Sequence, residues 1–112
     1  MRDRCVDLLS PAILSSKNPV VVDATLGLGG HTEALLQKFP HLTVIGIDRD
    51  LDAIAKATLR LAPFADRLKT AHSTFDRIAD VVSGFGYSHI DGALFDLGVS
   101  SMQLDQPERG FS

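Results

Sequence analysis

Val20-Val21-Val22-Asp23-Ala24-Thr25-Leu26-Gly27-Leu28-Gly29-Gly30-His31 is a β-branched run that stops on a carboxylate and passes straight into glycines. Three consecutive valines after Pro19, with no polar alternation, mark a strand covered on both faces, as in a parallel sheet. Glycines at 27, 29 and 30 permit positive φ and let a ligand come against backbone N–H groups where a helix starts. His31 to Phe39 supplies that helix, with Leu35, Leu36 and Phe39 on one face and Lys38 followed by Pro40 at its close.

The same alternation continues outward along the chain. Thr43 to Ile47 is a second apolar strand, ending at Asp48, and Asp50 is placed to cap a helix whose Leu51, Ile54, Thr58 and Leu61 recur at helical spacing, with Pro63 beyond its end. Leu68 to His72 alternates instead of running apolar, which suits a strand at the sheet edge. Ser73, with Asp76 three residues later, reads as a capping-box-like start for a helix carrying Phe75, Ile78, Val82 and Phe85 on one stripe and Gly84 as its stop. Ile90 to Phe95 is a fourth strand, and Asp96-Leu97-Gly98 opens a polar loop.

Strands alternating with helices imply parallel pairing through right-handed crossovers, hence an α/β fold. The expectation is a partial doubly wound, Rossmann-like parallel sheet of strand order 3-2-1-4 in a three-layer sandwich, with the outer edge of the fourth strand apolar and unpaired. Four strands are few for this architecture, so residues 1–112 read as part of a larger domain.

Composition narrows the classes. The 112 residues are 45% hydrophobic and 22% charged, enough for one core. Eleven Lys and Arg against fourteen Asp and Glu give a net charge of -3, so the basic footprint of a free-standing nucleic-acid binder is missing. Cys5, the single cysteine, has no internal disulfide partner, and no Cys and His cluster to hold a structural zinc. A reducing, cytoplasmic setting fits best, with no metal. The apolar stretch Val20 to Leu28 is far short of the roughly 20 residues of a membrane helix, and Met1 to Leu9 lacks a secretory h-region.

In open parallel sheets ligands bind outside the carboxyl ends of the strands, where strand order reverses. Asp23, Asp48 and Asp96 end the first, second and fourth strands, so three carboxylates are expected on one rim beside Gly27, Gly29 and Gly30. A dinucleotide would set its pyrophosphate on this turn, against Asp23, and the full G-x-G-x-x-G spacing needs glycine where Thr32 stands. S-adenosyl-L-methionine carries no phosphate and offers an ammonium, a sulfonium and a ribose diol, which suit an acidic rim. Asp48, 19 residues after Gly29, is placed to accept the ribose hydroxyls.

Asp23 to His31, Gly46-Ile47-Asp48-Arg49-Asp50, Asp96-Leu97-Gly98-Val99-Ser100-Ser101, Gln103-Leu104-Asp105 and Glu108-Arg109-Gly110-Phe111-Ser112 together closely resemble the bacterial small-subunit ribosomal RNA cytosine-N4 methyltransferases, the MraW family. The last blocks are the most specific, since the glycine turn is shared with many methyltransferases. The resemblance implies a class I methyltransferase that moves a methyl from S-adenosylmethionine to the exocyclic N4 of a cytidine in the decoding region of 16S rRNA. It also implies that Gly29, Gly30 and His31 cradle the methionine end, Asp48 takes the ribose and Phe75 lies against the adenine, while Asp96 and Gln103 complete the site. Many relatives carry proline where Met102 stands and Phe in place of Leu26. They also begin with a short extra segment before Arg4 and continue further, so the chain resembles their amino-terminal part, expected to be catalytically silent alone and to leave most rRNA contacts to the remainder.

Blander readings stand beside these. Asp23 and Asp48 also suit turns or caps, Asp50 is a cap, and Phe75 shares a core stripe with Ile78 and Val82. His41, His72 and His89 read as structural or solvent-exposed. Ser100 and Ser101 lack a placed histidine and the G-x-S-x-G elbow, which excludes a hydrolase. Two rivals remain: the Rossmann half of a nicotinamide-dependent oxidoreductase, and a non-catalytic Rossmann-like module that binds neither ligand.

Overall fold

The computed structural model describes residues 9–24, 26, 29–95 and 98–100. Strands β1 (Val20–Asp23), β2 (Thr43–Asp48), β3 (Leu68–His72) and β4 (Gly92–Phe95) run parallel in the order β3-β2-β1-β4. The crossovers are α1 (Gly30–Lys38), α2 (Leu51–Arg60) and α3 (Ile78–Gly84), with short 3-10 segments at Ala62–Arg67 and Phe75–Arg77. The strand order is the one the alternating pattern predicts. One expectation is corrected: the outer edge of β4 is paired, because β5 (Gly98–Ser100) turns back antiparallel to it, Phe95 opposite Gly98 and Ala93 opposite Ser100.

The period of two along the strands sorts the side chains into layers. Val21 and Val44 face Leu35 and Leu36 of α1 and Phe39 just past its end, together with Leu9 and Ile13 from helical residues 9–14. Val20, Val22, Ile45, Ile47 and Ala93 face the opposite way, onto Val82 of α3. By the same parity Asp23 shares the face of Val21, and Gly46 and Asp48 share that of Val44. The α1 face therefore carries the candidate chemistry at its carboxyl end.

Local chemistry accounts for the helix ends. Asp50 caps α2 as its type and position predict, its Oδ1 accepting from the Asp52 amide at 2.9 Å. The buried face of α2 is Ile54, Ala57 and Leu61, not the expected Leu51 and Thr58, both of which are exposed; Thr58 turns its hydroxyl back onto the Ile54 carbonyl. Ser73 is not the cap of α3: the segment opens as a 3-10 turn at Phe75, with the Thr74 hydroxyl donating to Asp76. Gly84 ends α3, but the left-handed residue that turns the chain is Gly86, at φ 87°, with the Gly86 amide on the Ser83 carbonyl and the Tyr87 amide on Val82. That is a Schellman closure, and it leaves Phe85 exposed instead of on the core stripe. At the amino end of the sheet, β4 starts two residues later than expected because Asp91 clamps β1 twice. Its amide donates to the Val20 carbonyl at 2.7 Å and its carboxylate accepts from the Val20 amide at 2.8 Å.

Candidate cofactor site

The site is built at the carboxyl ends of β1 and β2. Asp23 pairs in register with Gly46, so Asp48 stands two residues further along, about 6 to 7 Å higher at strand rise. Between them the chain leaves β1, passes Leu26 and enters α1 through Gly29, the left-handed cap, at φ 89°. The Gly29 amide donates to the Leu26 carbonyl at 2.7 Å, and the Glu33 amide closes the first helical bond on the Gly29 carbonyl at 2.8 Å. The left-handed φ favours glycine there, and a Cβ would also sit 3.0 Å from Leu61 Cδ1, which would have to give way. Gly46 is the second close approach. A Cβ on it would meet the Leu26 methyl carbons at 2.8 and 2.9 Å, so the Leu26 side chain rests directly on β2.

Asp23 lies at the tip of β1, as expected, but not on an open rim. It is fully buried, and its Oδ2 accepts the Thr32 hydroxyl at 2.6 Å. The expectation of a displayed carboxylate is corrected on this point: the acid is buried and tied to Thr32 in the first turn of α1. Burial of an acid without such a partner costs several kcal/mol, on the order of the charge's desolvation, which is why Thr32 is buried with it. Asp48 is half-buried at the rim, and its Oδ1 accepts from the Asp50 amide at 2.9 Å. The turn role foreseen for it is therefore present, and it places Asp48 at the threshold of α2. The Ser73 amide donates to the Asp48 carbonyl at 3.1 Å and His72 Nε2 pairs with the Arg49 carbonyl at 2.8 Å, which tie the end of β3 to that of β2.

Gly30 and His31 open α1 beside this cap, both half-buried. Phe75 begins the 3-10 turn after β3; its side chain lies outside the described residues, as do Gly27, Asp96 and Gln103. An open cleft of about 520 Å³ lies at the end of β3, lined by Ala71, His72, Ser73, Thr74, Arg77, Asp80 and Val81. None of its lining residues belongs to the glycine turn. The Asp76 carboxyl is held below the ordinary carboxylate range by the Thr74 hydroxyl, which outweighs the opposing desolvation, with its own amide and Arg77 adding to the lowering. Among the described residues no three His, Cys, Asp or Glu side chains gather as a metal site, and no helix is long and apolar enough to cross a membrane.

Sequence reasoning passed over Thr32 and Gly46 as members of the site. Thr32 was legible only as a missing third glycine, and Gly46 only as part of a strand and of a family-like block, because both roles depend on contacts across the fold.

The MraW methylase family matches residues 1–112, the whole chain. The chain belongs to this family. Among curated relatives, this MraW-family chain is similar to ribosomal RNA small subunit methyltransferase H of Kocuria rhizophila, 57% identical over 98% of this chain and 33% of that protein. It spans about a third of the length of the curated relatives it matches. Among solved structures, an rRNA methylase from Streptococcus thermophilus superposes with a TM-score of 0.63 at 22% identity, over 83% of this chain and 48% of the other. A geranyl diphosphate methyltransferase in complex with SAM superposes at 0.56 and 20% identity, over 65% of this chain and 29% of the other. At these identities the likeness is one of fold, and the MraW chain has the sheet of class I methyltransferases.

Proposed function

We propose that this chain is the cofactor-holding part of an S-adenosylmethionine-dependent methyltransferase that modifies the exocyclic N4 of a cytidine in the decoding region of small-subunit rRNA. The observation that carries the proposal is the family match over the full chain, in which a left-handed glycine cap follows β1 and Asp48 ends the neighbouring β2. The donor set suits this cofactor. The first-turn amides of α1 are fitted to receive the methionine carboxylate, Asp48 to accept from the ribose hydroxyls, and the buried carboxylate of Asp23 makes the floor of the turn unfavourable to a pyrophosphate. Phe75 is assigned to the adenine face, with Gly27 and Gln103 completing the enclosure.

When bound, S-adenosylmethionine supplies an electrophilic methyl group. The protein's task is positional, because the N4 lone pair of cytosine is conjugated with its ring. Acceptors that hold the amine aligned raise the rate through orientation and not through basicity. Asp96, or a backbone carbonyl within residues 97–101, is proposed to accept from that amine after the base is extruded from its stack. The chain's charge of -3 assigns most rRNA contact to the rest of the protein. The test is to supply the intact protein with methyl-labelled S-adenosylmethionine and purified small ribosomal subunits, then digest the rRNA to nucleosides. N4-methylcytidine is the expected product. A label on another atom or another base would refute the specificity, and no label in rRNA would refute the reading as a whole.

A further inference from the structure

We propose that Thr32 is a positioning residue for the cofactor turn, acting through Asp23. The inference rests on the reading that this turn holds S-adenosylmethionine, and goes beyond it in naming what fixes the turn's geometry. Gly29 caps α1 with no side-chain hydrogen bond, since glycine has none to give. The start of the helix therefore needs another anchor. Thr32, three residues on, is fully buried, and its hydroxyl donates to the equally buried Asp23 carboxylate at 2.6 Å, a length typical of a charge-assisted O–H···O⁻ bond. Threonine inside a helix ordinarily turns its hydroxyl onto the carbonyl one turn back; here it reaches across to the sheet instead.

The consequence is geometric. In dinucleotide sites the residue at this spacing is glycine, so that helix and strand pack backbone to backbone. Thr32 puts a side chain in that gap and closes it with one short directional bond. Leu61 supports the turn from beneath, 3.0 Å from where a Gly29 Cβ would lie, and Arg60 holds Glu33 of the same helical turn at 2.9 Å. The heights of the Gly30 and His31 amides above β1 are then set by the Thr32–Asp23 bond. The same bond keeps the carboxylate aimed at the helix start and away from solvent.

The test uses the intact protein and S-adenosylhomocysteine as the probe. Thr32→Val keeps the shape and deletes the hydroxyl. It is expected to raise the calorimetric Kd about tenfold, as loss of one such bond does, and to speed amide exchange in residues 30–33 relative to the rest of the sheet. Thr32→Ser should restore both to within about threefold of the parent. A Val variant that melts earlier yet binds within twofold of the parent would assign Thr32 to packing alone and overturn the proposal. Should the Val variant not fold, the parent's Thr32 hydroxyl proton decides: a slowly exchanging resonance that moves on adding S-adenosylhomocysteine supports the assignment, and an unmoved one overturns it. A parent protein that binds no S-adenosylhomocysteine refutes the proposed function instead, and the local exchange of Thr32→Val against Thr32→Ser still decides whether Thr32 positions the turn.

Discussion

Asp48 carries two roles that pull on the same atoms: it accepts the Asp50 amide at the threshold of α2 and is proposed to take the ribose. Asp48→Ala is therefore expected to weaken S-adenosylhomocysteine binding about 10- to 100-fold, from a loss of roughly 1.5 to 3 kcal/mol, in calorimetry on the intact protein. Unchanged affinity would leave Asp48 with the turn role alone. Asp76 offers a cleaner titration. The Thr74 hydroxyl, first among its influences, lowers the carboxyl's pKa, so the bond favours the folded state above the ordinary carboxylate value and that support fades as pH falls through the depressed one. Carboxyl-detected NMR should show Asp76 titrating below its ordinary range in the parent and moving back up in Thr74→Val; an identical titration in both would remove Thr74 as the cause. Residue types predicted the cap at Asp50 and the acid at the tip of β1. They did not predict that Asp23 turns inward, because its partner Thr32 comes nine residues later, from an element folded over it.

At the scale of elements, stability lies where one piece of secondary structure is anchored on another. Gly29 joins α1 to α2, since any side chain there is strained at φ 89° and runs into Leu61. Gly29→Ala should cost about 1 to 3 kcal/mol in denaturant unfolding, from left-handed strain plus the clash, and a loss under about 0.5 kcal/mol, the scatter of a neutral surface change, would mean the turn relaxes freely. Arg67 anchors the other end of α1. Its guanidinium donates to the carbonyls of Leu36, Phe39 and Leu42 at 2.9 to 3.1 Å and lies over the Phe64 ring. Half-buried donors to terminal carbonyls also favour the helix dipole, so Arg67→Ala should lower stability by roughly 2 kcal/mol, while Arg67→Lys, with a single ammonium, should recover only part. Equal stability of all three proteins would contradict the anchoring role. The crossover helices were legible from apolar spacing and Pro or Gly stops. Their buried faces were less so: Leu51 and Thr58 match the period yet face water, because α2 packs on Leu26 and Leu68 through Ile54, Ala57 and Leu61 instead.

For the whole molecule, a valine-rich strand read as central, three crossovers and an alternating edge strand lead to the order 3-2-1-4, and that order is found among the parallel strands. The return strand β5 was not legible. Three residues rich in glycine and serine carry no period of their own, and their pairing with β4 is a long-range choice made by the exposed edge. The site divides the same way: its location at the reversal between β1 and β4 follows from topology, whereas its floor, made of Thr32, Asp23 and the Leu26–Gly46 contact, emerges only once the layers are stacked. The central claim is that this location accepts a sulfonium nucleoside and refuses a pyrophosphate. Parallel calorimetric titrations of the intact protein with S-adenosylhomocysteine and with NADH test it most directly. Saturable binding of the first and none of the second is the predicted result; binding of NADH alone would contradict it.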